Sequence, residues 1–181
     1  GRVWVVSGDY DLSAHDEANP TCTPFEPVRC DVFVTESTFG LPIYRWRPQA
    51  EVFAEIDRWW AANAAAGRAS LLMGYSFGKA QRLLAGVNAS IGPIVVHGAV
   101  ETVNAAYRAA GVALPATHRA HELGPDDLKR ALVVAPPSVQ GSAWLRRFGD
   151  CSDAFASGWM QLRGAAARAR CRASRPRSGA R

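Results

Sequence analysis

Two short apolar runs each end on a carboxylate. Arg2-Val-Trp-Val-Val-Ser-Gly-Asp9 and Asp31-Val-Phe-Val-Thr-Glu36-Ser-Thr-Phe-Gly40 are β-branched and aromatic and too short for helices. They predict buried strands. Ligands of open α/β sheets lie beyond the carboxyl ends of strands, so Asp9 and Glu36 are candidates to hold a cation or to move a proton. The same acids would equally suit a turn or helix cap after a strand. A third stretch, Tyr75-Ser-Phe-Gly-Lys-Ala-Gln-Arg82, places Ser76 at a predicted helix start with Gly78 and Lys79 in the first turn. Free N–H groups, the helix dipole and a mobile cation together suit a phosphate. The stretch lacks the spacing of a Walker loop, and an ordinary N-cap followed by an exposed lysine would have the same letters.

Weaker candidates remain. His15-Asp16-Glu17 could ligate metal, but no second histidine stands at ligand spacing, so a solvated loop is expected. His118 and His121 lie three apart in a polar stretch without a third ligand. His97 ends an apolar run, where a hydrogen-bonded histidine is the default, and Arg146-Arg147 is read as a helix surface. The four cysteines form no C-x-x-C pair and predict reduced thiols.

The elements that must position these residues alternate in type. Helical spacing of Val52, Phe53, Ile56, Trp59, Trp60 and Ala64, after Pro48 and before Gly67, predicts a helix over 49–66. A strand over 69–74 follows, then a helix over 76–85 capped by Ser76. Next come a strand over 91–97 and a helix over 99–110. A short helix at 125–129, a strand over 131–135, a helical stretch over 141–148 and a strand over 154–160 complete the series. Strands separated by helical runs imply parallel βαβ units, hence an α/β fold with a mainly parallel sheet. Residues 10–30, with Pro20, Pro24 and Pro27, read as a long connection, and 41–48 as a linker. No internal repeat is present.

The formal charge of +5 is not spread evenly. Residues 165–181 hold six arginines and no acid; set aside, they leave 15 basic against 16 acidic residues. The body is therefore not basic. The tail has no hydrophobic period and is expected to be disordered. A basic arm could bind phosphate backbones, but the Ala/Arg-rich composition is that of a G/C-rich gene read out of frame, and no functional arm is expected. No 18-residue apolar run predicts a membrane span and no signal segment is evident, so a cytoplasmic location is expected. A chain opening on Gly1-Arg2 without Met reads as a piece of something longer.

Several strings, taken in order, resemble one family. Val-Ser-Gly-Asp9-Tyr resembles the fourth metal motif of the metallo-β-lactamase fold. Asp31-x-Phe-x-Thr-Glu36-Ser-Thr-Phe-Gly40 resembles the acidic motif of the β-CASP nucleases, and Gly74-Tyr-Ser-Phe-Gly-Lys-Ala-Gln-Arg-Leu-Leu84 is similar to a helix of that group. With Thr-Pro-Phe-Glu-Pro-Val-Arg29-Cys, Leu-Pro42-Ile-Tyr-Arg-Trp46 and Ala156-Ser-Gly-Trp-Met160, the likeness points to the ligase-associated DNA exonucleases. It covers about residues 1–164 and implies a partial metallo-β-lactamase domain over 1–44 and a three-layer β-CASP-like α/β cap over 45–164, ahead of the basic tail 165–181. It also implies phosphodiester hydrolysis in DNA repair at a two-zinc site. Asp9 would be a metal ligand there, Glu36 would position a ligand or the attacking water, and Ser76, Gly78 and Lys79 would hold a substrate phosphate. DNA, an ATP-dependent DNA ligase and a DEXH helicase are the implied partners. The family's His-x-His-x-Asp-His motif and its later histidines are absent from this sequence. The chain by itself is accordingly expected to lack the zinc pair and hydrolytic activity, and the alternative is a non-catalytic α/β module that binds nucleic acid or phosphate.

Overall fold

A computed structural model describes residues 1–10, 20–40, 42 and 47–156. The two opening runs form strands β1 (Trp4–Val6) and β2 (Val32–Val34), shorter than their apolar stretches. They pair in parallel, with Val5 opposite Phe33. Then follow α1 (Gln49–Ala65), β3 (Ala69–Met73), α2 (Lys79–Gly86), β4 (Ile94–Val96), α3 (Gly98–Ala109), α4 (Pro125–Arg130), β5 (Leu132–Ala135) and β6 (Cys151–Phe155). The last four strands form one sheet in the order β4-β5-β3-β6. Every ladder among the described residues is parallel, so the protein is α/β.

Parallel sheets are stable only when both faces are covered, and the apolar runs of β3, β4 and β5 are buried throughout. Alternate residues serve opposite faces. Leu72, Ile94, Val96, Leu132 and Val134 meet Trp60, Leu83, Leu84 and Val100 from α1, α2 and α3. Leu71, Met73, Val95, Val133 and Ala135 meet Val139, Phe148, Leu128 and Trp144 on the other side. Polar ties fix the first layer. The Trp60 indole donates to the Arg130 carbonyl at 3.0 Å, the Trp59 indole to the Ser152 hydroxyl at 3.0 Å, and the Asn63 amide to the Ser70 hydroxyl at 3.0 Å.

Three expectations are corrected. β1 and β2 are not buried: Trp4, Val6, Phe33 and Val34 are exposed. The final strand spans Cys151–Phe155 rather than 154–160; residues 157–160 lie outside the described residues. Ser152 and Asp153 disguised it, because an edge strand is only half covered and tolerates polar side chains. The stretch 141–148 is no α-helix. It carries a 3₁₀ turn at Leu145–Phe148, after another at Pro137–Val139, between positive-φ glycines 141 and 149. The tail 165–181, the loop with His15, Asp16 and Glu17, and most of the linker 41–48 also fall outside the described residues. Among those described, no helix is long and apolar enough to cross a membrane.

Candidate functional site

The carboxyl end of β3 runs into the turn Gly74-Tyr-Ser-Phe-Gly78, from which α2 departs. Gly78 has φ 74° and ψ −59°, and the Lys79 N–H donates to the Phe77 carbonyl at 2.9 Å. This is a γ-turn of the strained, positive-φ kind, which glycine adopts at little cost and other residues do not. The Ala80 N–H donates back to the Tyr75 carbonyl at 3.0 Å. Two amides at the start of α2 are thus closed onto the turn.

This corrects the expected helix start. α2 begins at Lys79, three residues after Ser76, with Gly78 at the N-cap position and no side-chain cap. Ser76 does not cap the helix, and among the described residues its side chain hydrogen-bonds no other protein group. The N–H groups of Lys79 and Ala80 are already used, so neither is left for an anion, and the positive charge at this corner comes from side chains.

Those side chains are cations. Lys79 is partly buried, and burial pushes its pKa below the ordinary lysine value, with repulsion from the Arg82 guanidinium adding to the effect. Among the described residues no carboxylate pairs with Lys79, and the first turn of α2 holds no acid. Among the described residues the Arg82 guanidinium donates only to the Gln49 side-chain oxygen, at 3.3 Å. The stem of Lys79 lies across Gly74: a Cβ there would sit 3.1 Å from Lys79 Cγ and 3.0 Å from a Leu83 methyl carbon. Glycine at 74 is thus what lets the lysine lie along the strand end. Two close cations, one part-desolvated and unneutralised, favour an anion at this corner.

Asp9 and Glu36 follow the carboxyl ends of the paired strands β1 and β2, so the topology carries both acids past the same end of the small sheet. Both are exposed. Glu36 Oε2 accepts the Thr38 backbone N–H at 2.7 Å, and that bond, then the Thr38 hydroxyl, holds the carboxyl below its ordinary pKa. Glu36 therefore caps the turn after its strand. No hydrogen bond or ion pair joins Asp9 or Glu36 to the Ser76, Gly78 and Lys79 turn.

His97 and His118 serve the backbone. His97 Nδ1 accepts the Ala99 N–H at 3.2 Å and caps α3, its ring edge-on to Trp144 at 5.0 Å. His118 extends the sheet: its N–H and carbonyl bridge Ile94 and Val96 on the outer edge of β4 at 2.9 and 3.0 Å. Its ring stands 4.0 Å from Glu122. Among the described residues no group of three His, Cys, Asp or Glu could hold a metal ion.

A partly buried polar chain behind α2 was missed in the sequence. The Gln81 amide donates to Asn104 at 2.8 Å, Asn104 donates to Glu101 at 3.1 Å, and Glu101 also accepts from Arg108 at 2.8 Å and Thr117 at 2.8 Å. Burial raises the Glu101 pKa, but the bonds from Thr117, Asn104 and Arg108 outweigh it and leave the carboxyl below its ordinary value. The i, i+3, i+7 spacing of Glu101, Asn104 and Arg108 on one helix face was the available signal.

The chain is similar to part of a probable DNA ligase from Opitutus terrae, at 31% identity over 174 residues. The match takes in 96% of this chain and 16% of that protein, so the chain spans about a sixth of the length of its relative. No family model matches the chain, and no solved structure does.

Proposed function

We propose that this chain is a DNA-handling module linked to a DNA ligase, and that its Lys79–Arg82 corner holds a backbone phosphate. The carrying observation is the part-buried Lys79 ammonium, beside Arg82 and without a carboxylate partner among the described residues. Such a charge is costly unless an anion arrives. The ligase-named relative supports DNA as the source of that phosphate. Gly78 shapes the turn, Gly74 seats the lysine stem, and the Ser76 hydroxyl is free to donate to a phosphate oxygen.

In this reading residues 1–44 are part of a metallo-β-lactamase sheet and 45–164 a β-CASP-like cap. The parent activity would be exonucleolytic hydrolysis of DNA in repair, in functional association with an ATP-dependent DNA ligase and a DEXH helicase. The implied zinc pair does not fit the described residues. Asp9 and Glu36 supply two carboxylates, no third ligand joins them among the described residues, and Glu36 is engaged by Thr38. A two-zinc centre needs roughly four to six ligands. No hydrolytic step is therefore assigned to the chain; its own part is to bind and orient DNA.

Fluorescence anisotropy with a labelled oligonucleotide tests the binding half. Lys79→Ala should weaken binding several-fold, and unchanged affinity sinks the phosphate assignment. Nuclease assays with Mn²⁺ or Zn²⁺ test the other half. Digestion abolished by Asp9→Ala would show a working metal site and overturn the assignment of binding alone.

A further inference from the structure

We infer that the turn between β3 and α2 is a stacking platform for unpaired nucleobases, with Phe77 and Tyr75 presenting the ring faces. The inference rests on the phosphate reading above and names the form of nucleic acid the corner takes. Phe77 is 77% exposed and Tyr75 61% exposed, although the strand they follow is wholly buried. A single exposed aromatic is unremarkable in a folded protein, but here two stand two residues apart on an anchored backbone. The Phe77 carbonyl takes the Lys79 N–H, the Tyr75 carbonyl takes the Ala80 N–H, and the Tyr75 ring leans edge-on against Phe155 at 6.4 Å and 85°. The backbone beneath both rings is fixed, and the Tyr75 ring has a neighbour to lean on.

The charge beside them selects the occupant. Lys79 lies directly after the turn with Arg82 close by, and no acid faces either in the first turn of α2. A ligand that alternates anionic groups with flat π-faces complements a cation pair flanked by aromatic rings. A single strand of nucleic acid has that alternation and every base can stack. In a duplex the base faces are already occupied.

The test compares two single strands of equal length and charge, an oligothymidylate and an oligomer of abasic tetrahydrofuran units. Anisotropy of the full chain at about 0.15 M salt, roughly physiological ionic strength, gives the affinity ratio. Any phosphate binding by the arginines of residues 165–181 would be the same for both strands and so largely cancels in the ratio. The wild type should prefer the strand with bases by about five-fold or more, as expected for one stacked base. Phe77→Ala should bring the ratio close to one while leaving the abasic affinity as it was, and Phe77→Trp should keep the preference. A wild-type ratio of one, or a ratio that survives Phe77→Ala combined with Tyr75→Ala, overturns the platform. Failure of the phosphate reading looks different: Lys79→Ala would leave both affinities unchanged while Phe77→Ala still removed the base preference.

Discussion

The two sheets use the same strand grammar and reach different ends. β1 and β2 pair in parallel, as β3 does with β5 and β6. In the larger sheet the central residues are shut from solvent, Leu71 and Leu72 at 1% exposure. In the smaller pair Trp4 is 62% exposed and Val6 75%. Parallel strands depend on covering layers, and two strands alone are marginal in water. Among the described residues, helices form the core clusters of the larger sheet alone, so its strand-end turn is held in one shape. The acids beyond the smaller pair sit at the surface. A carboxyl-edge residue is thus as well placed as the layers under it, which is why Lys79 makes a sharper candidate than Asp9.

The strongest way to break this contrast is to empty a core position in each sheet. Leu72 packs among α1, α2 and the neighbouring strands, and Leu72→Ala should cost about 2–5 kcal/mol of stability. Val6→Ala should cost under about 0.5 kcal/mol, as exposed substitutions do. Urea unfolding followed by far-ultraviolet dichroism measures both. Equal losses would mean that the small pair is as firmly packed as the large sheet.

A smaller effect probes the joint between α1 and α2. A Cβ at Gly86 would run into the Phe53 ring. Gly86→Ala should destabilise by about 1–3 kcal/mol through overpacking. The double variant with Phe53→Leu should recover part of that loss, and strict additivity of the two substitutions would show that they do not meet.

The polar chain behind α2 supplies the pH dependence. Glu101 is held below its ordinary pKa when folded, so the folded state binds this proton more weakly than the unfolded chain does. Its stabilisation is present above the unfolded glutamate value of about 4.3 and is lost as pH falls through the lower folded value. Acid unfolding of Glu101→Gln should lose that component, and its stability at neutral pH should fall by about 1.5–3 kcal/mol, the worth of hydrogen bonds to a charged group. An acid limb identical to wild type would place the titration elsewhere.

Much of the larger sheet was legible because its signals are local. The buried runs at β3, β4 and β5 and the helical spacing in 49–66 follow directly from apolar period, and α1 ends within one residue of expectation. The carboxyl-edge turn was legible as a place but not as a shape. Ser76 carries a capping side chain, yet Gly78 can adopt φ 74°, and the γ-turn it permits moves the helix start to Lys79. That outcome depends on which carbonyl the Lys79 amide reaches, which no residue type specifies. That Lys79 meets no carboxylate among the described residues was equally hidden, since it depends on what the fold leaves out of reach.

The smallest expected stability change carries the sharpest functional sign. Removing a charge from a buried, paired lysine destabilises a fold, because its partner is left uncompensated. Lys79 has no such partner among the described residues, and its ammonium is disfavoured by burial and by Arg82. Lys79→Ala should therefore change stability by less than about 0.5 kcal/mol, while Arg82, relieved of its neighbour, keeps its bond to Gln49. DNA binding should move the other way. Losing one phosphate contact to a single strand lowers the slope of log affinity against log salt by about 0.7, so the defect should shrink as salt rises. Anisotropy titrations from about 50 to 200 mM salt, a range over which phosphate contacts govern affinity, measure that slope. A parallel loss of stability and affinity, with an unchanged slope, would show that the lysine supports the fold instead of holding a phosphate.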